Sequence, residues 1–274
     1  MVQREDAPQS KNMTIVTVCF FVPSYFRYRR TLKATRFAKH RTLMETIQCA
    51  SCPTRQLSAF KHLPPEEVEV LCKHKRYNTM EKGEEILQEG THPKGVYCVQ
   101  EGHFKLVTHA ANGKETIVRF ASPGELIGYR ALLAGEPLSV SAVSLKKASA
   151  CFVPGDVLLG FLQHNGPFSM EILRETCHEI SETNRILSSM AQKTVRERFA
   201  EILLMLRAKF GEDEHGAIAI DLKRSELADL VGTATESLIR LSSQFEKDGL
   251  IGREGKRLKV LDVAKLTRIA EIYD

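Results

Sequence analysis

The chain has 274 residues, 43% of them hydrophobic, and a net charge of +5, which suits about two globular domains rather than a disordered polymer. No apolar run approaches the ~18–20 residues that a bilayer span requires, and the longest, residues 15–22, is interrupted by Thr17 and followed by an Arg-rich stretch without a signal-peptide cleavage site. Seven cysteines (19, 49, 52, 72, 98, 151, 177) do not make a secreted disulfide scaffold, so a reducing cytoplasm, with no membrane partner, is the expectation.

Residues 1–43 hold nine Lys/Arg against two acids, so the basic character belongs to this tail and the remainder is slightly acidic. The tail has neither helical nor strand period. Met44 offers a second start just ahead of the first recognisable motif. The expectation is therefore a start placed too far upstream, the alternative being a basic arm for DNA or a membrane surface.

Residues 44–165 read as one β-rich unit. Pro64-Pro-Glu-Glu opens a short helix, with proline in the first turn and acids at the positive helix end. Glycines at 83, 90, 95, 102, 113, 124, 128 and 135 then punctuate short apolar segments. Ala111-Asn-Gly-Lys reads as a hairpin turn, since Asn-Gly tolerates positive φ. Many short strands with turn signals argue for a closed or rolled β-structure.

Residues 166–192 read as a long helix with a heptad seam. Met170, Cys177, Asn184 and Ala191 fall on one row, and Leu173, Ile180, Leu187 and Thr194 on the other. Such a run favours a homodimer, and a lone Asn in the seam sets register at some cost in stability. Residues 193–274 read as a helix ending at Gly211, then helices at 224–231 and 235–247 joined by Gly232-Thr-Ala, as a helix-turn-helix requires. Ile251-Gly-Arg-Glu-Gly-Lys-Arg-Leu-Lys-Val is a tight hairpin, a wing with Glu254-Gly255 at its turn.

Three stretches carry a family likeness: Lys82-Gly-Glu-Glu-Ile-Leu-Gln-Glu-Gly, Val96-Tyr-Cys-Val-Gln-Glu-Gly-His-Phe-Lys-Leu and Pro123-Gly-Glu-Leu-Ile-Gly. They resemble the cyclic-nucleotide-binding β-roll. Followed by the long helix and the winged helix-turn-helix, the chain over about 49–263 resembles the CRP/FNR family of bacterial transcription regulators. The resemblance implies an α+β fold: an N-terminal double-stranded β-helix or jelly-roll sensor, a dimerisation helix and a C-terminal winged helix-turn-helix. It also implies double-stranded DNA and RNA polymerase as partners.

In a helix-turn-helix dimer the second helix enters the major groove. Glu accepts from the cytosine amino group and Arg donates twice to guanine. Glu236 and Arg240, four apart on one helix face, match the family's Glu-x-x-x-Arg, with Thr235 and Ser237 flanking; Ile239 departs from the small residue usual there. The bland alternative is an ordinary i,i+4 surface pair. Residues 193–274 carry 15 basic and 15 acidic residues, so phosphate contact needs local cations. Lys223 and Arg224 at a helix start, and Arg253, Lys256, Arg257 and Lys259 in the wing, are the candidates.

For the sensor, the family's Gly-Glu-Leu…Arg-Ser cassette aligns, with a one-residue gap, on Gly128-Tyr129-Arg130…Leu138-Ser139. Tyr129 and Leu138 replace the Glu and Arg that hold the ribose and phosphate, which argues against cAMP. Tyr129, Arg130, Ser139, Thr183 and Asn184 remain the effector candidates, with a salt bridge to Glu125 or to a neighbouring strand as the plain reading of Arg130. Cys49-x2-Cys52 and Cys151 match three of four positions of the iron–sulfur pattern in the family's oxygen-sensing branch. Ser58 stands at the other position, and Cys72 lies in a different segment. An iron–sulfur cluster, a Cys49/Cys52 thiol switch, an uncharged ligand or haem, and inherited inert cysteines all stay open. No catalytic constellation stands out, so no enzyme is expected. The competing class is a β-roll sensor that regulates a partner protein without touching DNA.

Overall fold

The computed structural model describes residues 48–110 and 115–271; the basic tail and the Asn112-Gly113 turn lie outside them. The described residues begin with 3-10 turns at Cys49–Ser51, Thr54–Leu57 and Ala59–His62, and helix α1 (Pro65–His74). Two four-stranded antiparallel sheets follow. One runs β1 (Arg76–Met80), β8 (Ala148–Pro154), β3 (Gly95–Glu101), β6 (Leu126–Ile127). The other runs β2 (Glu85–Leu87), β7 (Ser141–Ser144), β4 (Phe104–His109), β5 (Glu115–Ala121). Their order is that of a rolled double sheet. The inner faces meet over Phe104, Val99, Ile127, Leu138 and Ala150, all buried.

Short helix α2 (Tyr129–Ala134) starts from Gly128, whose φ of 89° only glycine adopts without strain. Helix α3 (Gly155–His164) follows the last strand, and α4 (Gly166–Gln192) leaves the roll as a 27-residue spine. The Asn165 side chain caps it, accepting from the Phe168 N–H at 3.0 Å, and Pro167 occupies its first turn. The spine stops at Gln192, short of the Thr194 end of the heptad reading. Thr194 instead caps α5 (Val195–Phe210) in a capping box with Glu197.

Helices α6 (Arg224–Val231) and α7 (Thr235–Lys247) enclose the turn at Gly232, and the wing is β9 (Ile251–Glu254) with β10 (Arg257–Val260). These bounds agree with the sequence reading. A last helix, α8 (Val263–Ile269), packs on α5; no sequence signal had marked it. Phe199, Leu203, Leu238, Phe245 and Leu266 form the core of this domain. That core continues onto the roll through Val107, Ile117, Phe120 and Leu145, so roll and helix-turn-helix share one apolar contact. Among the described residues, no helix is long and apolar enough to cross a membrane.

Candidate nucleic-acid interface and sensor site

Helix α7 buries Leu238, Ser242 and Phe245 and turns Glu236, Ile239 and Arg240 outward. The apolar residues at three- and four-residue spacing glue one side to the domain and leave the other bare. Glu236 and Arg240 are both exposed and form no ion pair, with each other or with any other described residue. The plain surface-pair reading therefore fails. Thr235 and Ser237 are half-buried at the helix start. The turn before α7 rests on Gly232, left-handed at φ 70°; a Cβ there would lie 2.7 Å from Met190 Sδ of the spine. Arg198 holds the same turn by donating to the carbonyls of Val231 (2.7 Å) and Gly232 (3.1 Å).

The cations around this face differ in what they already touch. Arg257 donates to Asp221 and Asp213, both at 2.7 Å. Arg253 pairs with Glu246, and Lys259 with Glu254 at 2.8 Å. Lys256 at the wing tip is exposed and makes no such contact. The exposed Lys223 precedes α6, and Arg224 in its first turn is half-buried. Burial and the neighbouring Arg253 hold the Arg224 guanidinium below its usual pKa.

Of the effector candidates, Tyr129 and Arg130 sit at a β-roll–spine contact. Tyr129 is buried; its hydroxyl has no partner at bonding geometry and faces Thr176 and Glu179 of α4, with burial first and Glu179 second pushing its pKa up. Arg130 reaches Glu179 at 3.4 Å rather than Glu125. Arg119 of β5 donates to the same carboxylate at 2.6 Å and lies 3.6 Å from Glu125. Ser139, Thr183 and Asn184 lie outside this contact, and the Thr183 hydroxyl donates to the Glu179 carbonyl of its own helix. Leu138 is buried in the apolar core between the sheets. Glu175, one turn from Glu179, is pushed up to about 7 by burial and by Glu171, Glu125 and Glu179 around it.

Cys49, Cys52 and Cys151 do converge. They line one small pocket with Cys98, Lys75, Arg55 and Gln100, a void of about 20 Å³, room for a single water. Cys98 and Cys151 are register partners on β3 and β8. Cys72 lies on α1, a different segment as the sequence indicates, and hydrogen bonding from the Cys49 backbone lowers its pKa. Burial pushes the Cys151 thiol up to about 11 and raises Cys49. Cys52 donates to Gln100 Oε1 at 3.1 Å. Ser58 is fully buried and donates to the Arg55 carbonyl at 2.9 Å. Among the described residues no group of three or more His, Cys, Asp or Glu is arranged to hold a metal ion.

A β-roll carrying an apolar helical spine and an outward reading helix defines a DNA-binding transcription regulator with a sensor domain. Residues 77–165 match the cyclic nucleotide-binding domain family and residues 197–269 the Crp-like helix-turn-helix domain family. The transcriptional activator protein Anr of Pseudomonas aeruginosa is 28% identical over 225 residues, 81% of this chain and 92% of that protein. A CRP-like cAMP-activated global transcriptional regulator of Mycobacterium tuberculosis is 26% identical over 77% of this chain and 95% of its own. FixK2 of Bradyrhizobium japonicum shares the fold with a TM-score of 0.64 at 21% identity, covering 73% of this chain and 99% of that one. The chain belongs to the CRP/FNR family of transcription regulators, and its function is sequence-specific DNA-binding regulation under allosteric control.

Proposed function

We propose that the chain acts as a homodimer that reads a two-fold DNA site with Glu236 and Arg240, positioned by Thr235 and Ser237 at the helix start. The observation that carries this reading is the bare, unpaired Glu236–Arg240 face directly after the Gly232 turn. Lys223, Arg224 and Lys256 contact phosphates; Arg257 does so once DNA competes with its two aspartates. Dimerisation runs through α4, where Met170, Leu173, Ile180 and Leu187 are each about half exposed on one stripe, the spacing of a paired helix. A second copy covering that stripe sets the two α7 helices ~34 Å apart, one turn of DNA.

The working division is a sensor at 44–165, a spine at 166–192 and a reading head at 193–274. The chain works in the cytoplasm and recruits RNA polymerase, acting as an activator like its relatives of that name, and catalyses no reaction. Cyclic AMP is not its signal. Two features support this: the position of the phosphate-holding Arg is Leu138, inside the apolar core, and Tyr129 packs into the roll–spine contact. An iron–sulfur cluster does not fit the residues either. The hydroxyl at position 58 is spent on a backbone carbonyl, the Cys52 thiol on Gln100, and the pocket has no room for a cluster beside Lys75.

Selection of bound sequences from random double-stranded DNA by the full reduced chain tests the reading. The expected product is an inverted repeat with half-sites one helical turn apart. Recovery of no common sequence would sink it and revive the sensor that acts on a protein partner.

A further inference from the structure

Lys105 of β4 sits between two carboxylates, one from the sensor and one from the reading head. Its Nζ donates to Glu115 of β5 at 3.0 Å and to Glu226 of α6 at 2.8 Å. The side chains of Lys105 and Glu226 are only 13% and 18% exposed, so solvent screens this pair far less than an ordinary surface pair. Glu226 is engaged on both oxygens. Oε1 accepts from Lys105, while Oε2 accepts the Lys223 backbone N–H at 2.8 Å and closes the open start of α6. One carboxylate therefore ties the first turn of the helix-turn-helix to a sensor strand.

Other contacts fasten the end of α5 to the roll. The Phe210 ring centroid lies 4.8 Å from that of His103 and 5.1 Å from that of Phe120, and Lys209 donates to Glu125 at 3.0 Å. Val107 and Ile117 continue the apolar core of the head, but apolar burial is non-directional. The head joins the spine through Lys193 and Thr194, both extended rather than helical. The bond from Lys105 adds a directional attachment at α6, and separated attachments fix an angle that one alone leaves free.

We propose that Lys105 is a positioning residue for DNA reading: through Glu226 it sets the angle of the reading head on its own sensor, and with it the preference for specific over non-specific DNA. This rests on the reading of a two-fold site by Glu236 and Arg240. In a helix-turn-helix the first helix crosses the DNA backbone while the second lies in the groove, and the two heads of a dimer must engage together. Lys223 and Arg224 meet phosphates in that geometry only when the first turn of α6 is correctly aimed. A head that pivots loses orientational freedom at each half-site, a cost that a preset angle removes. Attraction to phosphates alone tolerates many angles. Loss of the bond is thus felt first on the specific site.

The test uses the full chain, titrated at one salt concentration on its selected inverted repeat and on an unrelated duplex. Lys105→Met keeps the side-chain length without the charge, and Glu226→Gln keeps an oxygen to accept from Lys223. Each should lower the ratio of specific to non-specific affinity about tenfold, within the usual range of coupling between sites. The double variant should lose no more than either single one. Lys105→Arg, which keeps the charge, and Glu115→Gln, which removes only the partner within the sensor, should both stay near the wild-type ratio. Melting checks each fold, and Glu226→Gln carries the comparison if Lys105→Met does not fold. In the DNA-free chain, amides of residues 224–231 should exchange hydrogen faster in both single variants. Unchanged exchange, an unchanged ratio, additive losses or an equal loss from Glu115→Gln overturns the proposal. A wild-type chain that selects no sequence strikes the DNA reading instead, and the exchange measurement still decides whether Lys105 holds the head.

Discussion

Arg119 of β5 donates to Glu179 of α4 at 2.6 Å, so a strand of the sensor grips the spine through a carboxylate that is largely buried. Arg130 adds a second guanidinium to the same group at 3.4 Å. The sensor thus reaches the spine by charge here and by stacked aromatics at Phe60 and Phe168.

A double-mutant cycle measures the first contact. Arg119→Ala and Glu179→Ala should show a coupling energy on the order of 1 kcal/mol in thermal unfolding, above the typical exposed pair because Glu179 is shielded. A coupling indistinguishable from zero means the pair adds nothing to the roll–spine contact.

Glu175 gives this contact a pH dependence. Burial first, then Glu171, Glu125 and Glu179, raise it to about 7, while in the unfolded chain it titrates near 4.5. The folded state therefore holds a proton that the unfolded state has lost. Its contribution to stability is full below about pH 4.5 and disappears as pH rises through about 7. Glu175→Gln should flatten that part of the stability profile, by roughly 1–3 kcal/mol across the window. Parallel profiles for the two proteins would exclude it.

The proposed dimer uses the exposed stripe of α4. Ile180→Glu with Leu187→Glu places charge at two positions that a partner helix must bury, so the sedimentation coefficient should fall to that of a monomer. Far-UV circular dichroism should stay unchanged and specific DNA binding should vanish. A dimer that persists would relocate the interface.

Reading and anchoring should separate by mutation. Arg240→Ala should cost about 1–3 kcal/mol of discrimination per half-site against a wrong base pair while non-specific binding holds. Lys256→Ala should weaken all DNA alike and make the salt slope shallower by about 0.9 for each phosphate it no longer neutralises. Equal weakening on both kinds of DNA for Arg240→Ala would remove its reading role.

Gly232→Ala should destabilise by about 1–2 kcal/mol from left-handed strain alone, with more from the 2.7 Å approach to Met190 Sδ. Adding Met190→Ala should recover only the steric part. A full recovery in melting temperature would mean that the backbone strain is negligible.

Much of the architecture was readable along the chain. The bounds of α5, α6, α7 and the wing are set by Thr194 and Glu197, the Gly211 stop, the Gly232 turn and the Glu254-Gly255 turn. These are local rules acting within four residues. Glu236 and Arg240 were legible for the same reason, since one helix turn decides which way both point. The exception on the spine, Thr194, carried both a seam signal and a capping signal, and the capping box prevailed.

What sequence alone determined is therefore the order of modules, the element boundaries and the outward face of α7, each governed by periodicity and capping. Tertiary structure alone decided the rest: that Cys49, Cys52, Cys98 and Cys151 converge on one pocket, that Arg130 turns to Glu179, and that Asp213 and Asp221 occupy Arg257. It also decided that the unpredicted α8 closes the reading head. Those contacts join segments with no shared period, brought together by burial of the apolar faces beneath them, and burial has no address in a linear pattern.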